Sequence, residues 1–290
     1  MEMSETRIRL DMPAKLAAAM GRAACNACVG LDPVLTKLPA AIDRSDPIDA
    51  IRRFSLGVLE VVAPHVACLK VQSACYERYG PSGVAIIDEV MAAADLIDLP
   101  VILDAKRGDI GISAAHYAAS VFDRAAAPDW VTVNAYLGVE TLEPYLEHGG
   151  IFVLVRTSNP GSARFQGLRL DDGRTVAEAM ADMVAELAAN RRNEQGWSDV
   201  GAVVGATHPA EAESLRERMP GVILLVPGIG AQGGKVSDCA PLCGPDGYGA
   251  VLTASRSVIY PEGQSGDWMQ SIAEAAARLA DETGRVAGLR

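Results

Sequence analysis

Eight short runs rich in Val, Ile and Leu recur along the chain, and a segment of helical periodicity follows every one but the seventh. This alternation constrains the fold more than any other feature. The runs are 28–33, 66–71, 101–103, 130–134, 151–155, 200–204, 222–226 and 250–253. Apolar runs of this length suit parallel strands buried on both faces. The helical segments that follow them are 46–62, 83–97, 113–125, 139–146, 175–190, 209–218 and 266–279. They carry their own punctuation: Asp46-Pro47 opens one helix and Gly149-Gly150 stops another. Eight strands alternating with helices, without a linker, predict an α/β fold: a single (β/α)8 TIM barrel. A doubly wound open sheet would place a Gly-rich turn after an early strand, and here that turn comes late, at 227–234. The expectation is one barrel domain over 1–290, with a short helical extension at 13–24 ahead of the first strand. At 290 residues the chain is of ordinary size for such a barrel, for which roughly 250 is typical.

Composition narrows the class of partner. Hydrophobic residues make up 49% of the chain and aromatics only 5%, a mixture suited to buried strands under Ala-rich helices. With 26 basic against 37 acidic residues the net charge is −11, which argues against nucleic acid or an anionic membrane as partner. An anionic substrate must therefore be held by a local positive cluster. No apolar run is long enough to span a bilayer, and the start, Met1-Glu2-Met3-Ser4-Glu5, has no signal-peptide pattern, so a cytoplasmic protein is expected. Cys25 and Cys28 form a C-x-x-C, and Cys239 and Cys243 a looser pair, but the spacings match no common zinc pattern and no nearby His completes one. All six cysteines read as reduced thiols, and no metal is expected.

Barrel active sites form at the C-terminal ends of the strands. Here those ends bring Asp32, Lys70, Asp104 with Lys106, Asn134, Ser158, His208, Gln232 and Arg256. The densest is Val101-Ile102-Leu103-Asp104-Ala105-Lys106-Arg107-Gly108-Asp109-Ile110, a strand that runs straight into charge. Asp104 and Lys106 are two apart, so an extended chain points both side chains to the same face. A structural ion pair at a strand mouth is the plain alternative, and it weakens as polar strand ends accumulate. His208, just before Pro209, reads as a helix cap rather than a site residue. The Gly-rich segment 227–234, with Gly230 within it, offers backbone N–H groups to a phosphate, and Arg256 offers a charged fork at the adjacent strand end. A lysine flanked by carboxylates stays protonated, which suits a proton donor or carbanion stabiliser better than a Schiff-base nucleophile.

These residues resemble the orotidine 5′-phosphate decarboxylase family. Asp104-Ala105-Lys106-Arg107-Gly108-Asp109-Ile110 is similar to the family's D-x-K-x-x-D-I signature. Gly30-Leu31-Asp32, Leu69-Lys70, Ser158-Asn159-Pro160-Gly161, the 227–233 loop with Gln232, and Arg256 resemble its ribose, lysine, pyrimidine and phosphate segments. The overall length resembles the longer bacterial branch. One departure stands at Ser113, where the family commonly has Thr; the hydroxyl is kept. The resemblance implies decarboxylation of orotidine 5′-monophosphate to uridine 5′-monophosphate, without metal or organic cofactor. It implies Lys106, Asp104, Lys70 and Asp109 as catalytic residues, and Asp32, Ser113, Ser158, Gln232, Arg256, Gly230 and Asn134 as substrate-binding. It further implies a homodimer in which Asp109 and Ser113 reach into the partner's site.

Two other readings remain open at this level. One is a magnesium-dependent sugar-phosphate decarboxylase or aldolase-type member of the same barrel group, which shares the D-x-K-x-x-D core. The other is a non-catalytic barrel that binds a nucleotide phosphate. Lys70 and the Ser158 loop favour the orotidylate reading over the first.

Overall fold

The computed structural model describes residues 11–230, 233–262 and 267–290. Its centre is a closed barrel of eight strands: β1 (Ala27–Leu31), β2 (Cys68–Gln72), β3 (Val101–Arg107), β4 (Trp130–Val133), β5 (Gly150–Arg156), β6 (Val200–Val204), β7 (Leu224–Val226) and β8 (Ala250–Ala254). Neighbours in sequence are neighbours in the barrel, every pairing is parallel, and β8 closes on β1. The (β/α)8 expectation holds.

Strand pleating divides the core in two. Residues such as Val29, Leu69, Leu103, Val131, Ile151 and Leu224 face outward and pack under the helices. Cys28, Cys68, Ile102, Trp130, Phe152, Ile223 and Val251 face inward and fill the lower barrel. Two large aromatics pack together here: the Trp130 and Phe152 rings lie 4.6 Å apart. Gly150 and Gly201 make room for them, since a Cβ at either position would meet the Trp130 or Phe152 ring at about 2.5 Å or less. The extension expected at 13–24 is the helix Met12–Ala23, capped by Asp11, whose carboxylate accepts from Ala14 N at 2.9 Å. Its buried Leu16 and Met20 join the inward cluster, so this helix closes the barrel floor. Lys15 Nζ donates to Asp129 Oδ1 at 2.7 Å, and Asp129 Oδ2 accepts from Val101 N at 2.8 Å, which fastens the helix to β3.

The helices largely follow their sequence signals. Asp46 caps Pro47–Val62, and Thr175 with Glu178 forms a reciprocal capping box on Val176–Ala189. Three expectations change. The helix expected at 139–146 is a 3-10 turn, Val139–Leu142, followed by one α-turn, Glu143–Leu146. The last helix runs over Trp268–Ala287, well beyond 279, and a start at Gly266 falls outside the described residues. β3 continues to Arg107, four residues past the expected end, because the charged side chains at its mouth find partners inside the barrel. Among the described residues no helix is long and apolar enough to cross a membrane.

Candidate active site

The inward parity that fills the barrel floor continues upward into polar residues. Lys70 and Gln72 on β2, Asp104 and Lys106 on β3, Thr132 on β4 and Thr253 on β8 line one cavity at the C-terminal end of the barrel. Asp32, just past β1, joins them, as do Ser158, Val203, Leu225, Ser255, Arg256 and the 227–229 segment. Gly30 gives Ser255 its space, since a Cβ at position 30 would sit 1.9 Å from the Ser255 hydroxyl.

A chain of charge crosses the floor of this cavity. Lys70 Nζ lies 2.9 Å from Asp104 Oδ2 and 3.5 Å from Asp32 Oδ1. Lys106 Nζ lies 2.5 Å from Asp104 Oδ1. The Thr132 hydroxyl donates to the same Oδ1 at 2.9 Å, and the Gln72 amide reaches Oδ2 at 3.4 Å. Burial pushes the Asp104 carboxyl up, but Lys70 and Lys106 outweigh it and hold the group well below the ordinary carboxylate range. Burial likewise pulls the Lys70 ammonium down, and the Asp32 and Asp104 carboxylates raise it above an ordinary lysine. Both therefore stay charged at neutral pH. The two lysines differ in access: the Lys70 side chain is 6% exposed and that of Lys106 is 46% exposed. Lys70 is a buried charge paired with carboxylates on two sides, whereas Lys106 presents its ammonium to the open cavity.

Lys106 reaches this position at a cost. Its φ is +47°, a left-handed conformation costing a non-glycine residue about 1–2 kcal/mol. The strain sits in a register shift of β3 against β4, between Leu103 and Arg107. The shift takes the Lys106 N–H out of the strand ladder, and the N–H donates to Thr132 Oγ1 at 2.9 Å instead.

Ser158 stands on a braced loop. The buried Arg156, at the end of β5, donates from Nε to Glu211 Oε2 at 2.7 Å and also bonds the Ser162 hydroxyl. It reaches Gln166 Oε1 at 3.4 Å. Gln166 in turn accepts from Thr157 N at 2.9 Å and donates to Thr157 Oγ1 at 2.9 Å, which holds the residue before Ser158 at two points. The stretch 162–173 contains the turn Ala163–Gln166, which supplies this glutamine.

The structure brings Asp32, Lys70, Asp104, Lys106, Ser158 and Arg256 together around the cavity. Four expected residues lie elsewhere. Asn134 spends its side chain capping the next turn, accepting from Tyr136 N at 3.1 Å, and does not line the cavity. Asp109 and Ser113 sit beyond β3, outside the lining of the cavity their own chain forms. Gly230 also lies outside it, although residues 227–229 of the same segment line it. The N–H groups of Gly230, Gly233 and Gly234 donate to Gly234, Gly230 and Gly228 carbonyls at 2.9, 2.8 and 3.1 Å. These three amides are satisfied within the loop, and those of residues 231 and 232 lie outside the described residues. Gln232 lies outside the described residues. His208 stands at the N-cap position of Pro209–Arg218, but its side chain makes no capping bond, so only its backbone serves the helix. Thr132, Gln72 and Ser255 were not singled out from sequence. The usable signal was parity, since Thr132 is a polar residue in phase with the inward Trp130.

All six cysteines are free, and among the described residues no group of three or more His, Cys, Asp and Glu side chains is placed to hold a metal ion. Residues 26–259 match the orotidine 5′-phosphate decarboxylase / HUMPS family. The chain is 41% identical to orotidine 5′-phosphate decarboxylase of Rhodopirellula baltica, with 85% of this chain and 87% of that protein covered. It is 41% identical to the Deinococcus radiodurans protein of the same name, with 90% and 93% covered. Among solved structures, OMP decarboxylase of Leishmania donovani superposes with a TM-score of 0.78 at 30% identity, covering 96% of this chain and 99% of that one.

Proposed function

The chain belongs to the orotidine 5′-phosphate decarboxylase / HUMPS family, and from that premise we propose that it is a cytoplasmic, homodimeric orotidine 5′-phosphate decarboxylase built as a single barrel domain. The observation that carries the reading is the charge chain Asp32, Lys70, Asp104 and Lys106 at the cavity floor, with Lys106 alone half-exposed to the space above. Breaking the bond to the departing carbon dioxide leaves the electron pair on a ring carbon. A fixed ammonium beside that carbon stabilises the transition state more than the ground state. Lys106 then transfers a proton from Nζ to the carbon, which replaces the lost carboxyl group. Asp104 orients Lys106 and lies near the substrate carboxylate, while Asp32 takes a ribose hydroxyl and Ser158 the pyrimidine. Arg256 and Gln232 take the phosphate, with Gly230 two residues ahead of Gln232 in the same glycine-rich segment. No cofactor has a part in the scheme.

Asp109 and Ser113 act in the partner's cavity. Two features support that reading. Neither lines the cavity of its own chain. Each is next in sequence to an exposed apolar side chain, Ile110 at 60% and Ile112 at 76% exposure, and Tyr136, past β4, is 70% exposed. Tyr136 stacks edge-on against the exposed Phe165 at 6.0 Å, and apolar surface of this kind is characteristic of a face that a second copy covers.

Incubation of the purified protein with orotidine 5′-monophosphate, followed by ultraviolet absorbance, should show conversion to uridine 5′-monophosphate with the chelator EDTA present. No turnover by folded protein rejects the reading, and loss of turnover only on chelation favours the magnesium-dependent sugar-phosphate class. Lys106→Ala and Asp109→Ala proteins should each be nearly inactive, and mixing them should restore activity to sites that draw both wild-type residues. A mixture that stays inactive despite subunit exchange would mean that Asp109 serves its own chain.

A further inference from the structure

We infer that Thr132 is a positioning residue for the reaction, its hydroxyl joining Asp104 and the strained backbone of Lys106 into one rigid unit. This assignment rests on the decarboxylase reading. Thr132 is 1% exposed and projects from the middle of β4 into the cavity floor. A hydroxyl has one hydrogen to give and lone pairs to receive, and here both capacities are used. Thr132 Oγ1 donates to Asp104 Oδ1 at 2.9 Å and accepts from Lys106 N at 2.9 Å. Lys106 Nζ returns to the same Asp104 oxygen at 2.5 Å. The three residues therefore close a ring through one backbone amide, one hydroxyl, one carboxylate and one ammonium.

Each part of that ring needs the hydroxyl. At φ +47° the Lys106 amide has left its place in the β3–β4 register, and the bond to Thr132 satisfies a group that would otherwise be a costly orphan. The donated hydrogen fixes which way the Asp104 carboxylate turns, and that carboxylate aims Lys106. Arg107 resumes pairing with Val133 immediately after the shift, so the hydroxyl bridges the gap in the ladder. Threonine suits the position because its branched side chain fits a strand while its hydroxyl replaces the missing ladder bond.

Valine has the same shape without the hydroxyl, and serine keeps the hydroxyl without the methyl. Steady-state kinetics on orotidine 5′-monophosphate and calorimetric binding of uridine 5′-monophosphate separate positioning from folding. In Thr132→Val, kcat should fall by roughly ten- to a hundredfold, the range expected for leaving buried polar groups unpaired. The dissociation constant for uridine 5′-monophosphate should change by less than about threefold, because ribose and phosphate contacts are untouched. Thr132→Ser should recover most of the lost kcat. A valine variant within about twofold of wild-type kcat overturns the assignment, and so does a serine variant as slow as valine. The wild-type protein is the control: if it does not turn over orotidylate, the decarboxylase reading fails first. A crystal structure of Thr132→Val then tests the positioning by itself. Displacement of the Lys106 backbone or rotation of the Asp104 carboxylate supports the ring, and an unchanged pair refutes it.

Discussion

Lys70 and Asp104 are buried together, 2.9 Å apart, and each holds the other in its charged form. The sign of the resulting pH dependence follows from the two directions. Asp104 is depressed on folding, so its contribution to stability is complete above the unfolded carboxyl value of about 3.9 and is lost as pH falls toward the folded value. Lys70 is raised, so its contribution is complete below about 10.4 and is lost as pH rises through the folded value. Calorimetric melting of wild type against the double variant Lys70→Met/Asp104→Asn should give a constant difference from about pH 5 to 9. Below about pH 4 the difference should move in favour of the double variant. A difference that stays flat into strong acid would show that the native pair does not carry this linkage. Sequence spacing succeeded at Asp104 and Lys106 for a separate, local reason. Period-two geometry put both on one face, and the face survived the register shift because Thr132 bridges it.

The loop after β5 is held as an element rather than by any one contact. Arg156 anchors it to Glu211 on the helix Pro209–Arg218, which follows β6, and Gln166 turns that anchor onto Thr157 beside Ser158. Gly205 permits the close approach, since a Cβ there would meet the Ser158 backbone at about 3 Å. Gln166→Ala removes both bonds to Thr157 while leaving the Arg156–Glu211 pair intact. Its KM for orotidine 5′-monophosphate should rise roughly tenfold with a melting temperature close to wild type. An unchanged KM would show that Ser158 keeps its place without the brace. Nothing in the sequence of 162–173 marked Gln166, because a single turn of helix is too short to show periodicity and its partners lie nine and ten residues away.

At the scale of the molecule the barrel has an open upper end lined with charge and a lower end shut by the helix Met12–Ala23. That division predicts separable effects. Leu16→Ala should cost about 2–5 kcal/mol in urea unfolding, as for other buried leucines, with kcat unchanged. A fall in kcat matching the loss of stability would mean that the floor and the site are coupled. The sequence by itself determined the eight strands, their parallel alternation with helices, and the polar residues at the strand ends, because burial period and capping chemistry are local. It also brought Asp104 and Lys106 to one face and carried the family resemblance. Only the tertiary structure decided which of those residues meet. Asn134 turned to its own helix cap, and the loop glycines closed on themselves. Thr132, an unremarked strand residue, became the bond between a carboxylate and a strained lysine 26 residues away. Such contacts depend on which strand lies beside which and in what register, and closure of the barrel sets that register through pairings distant in sequence.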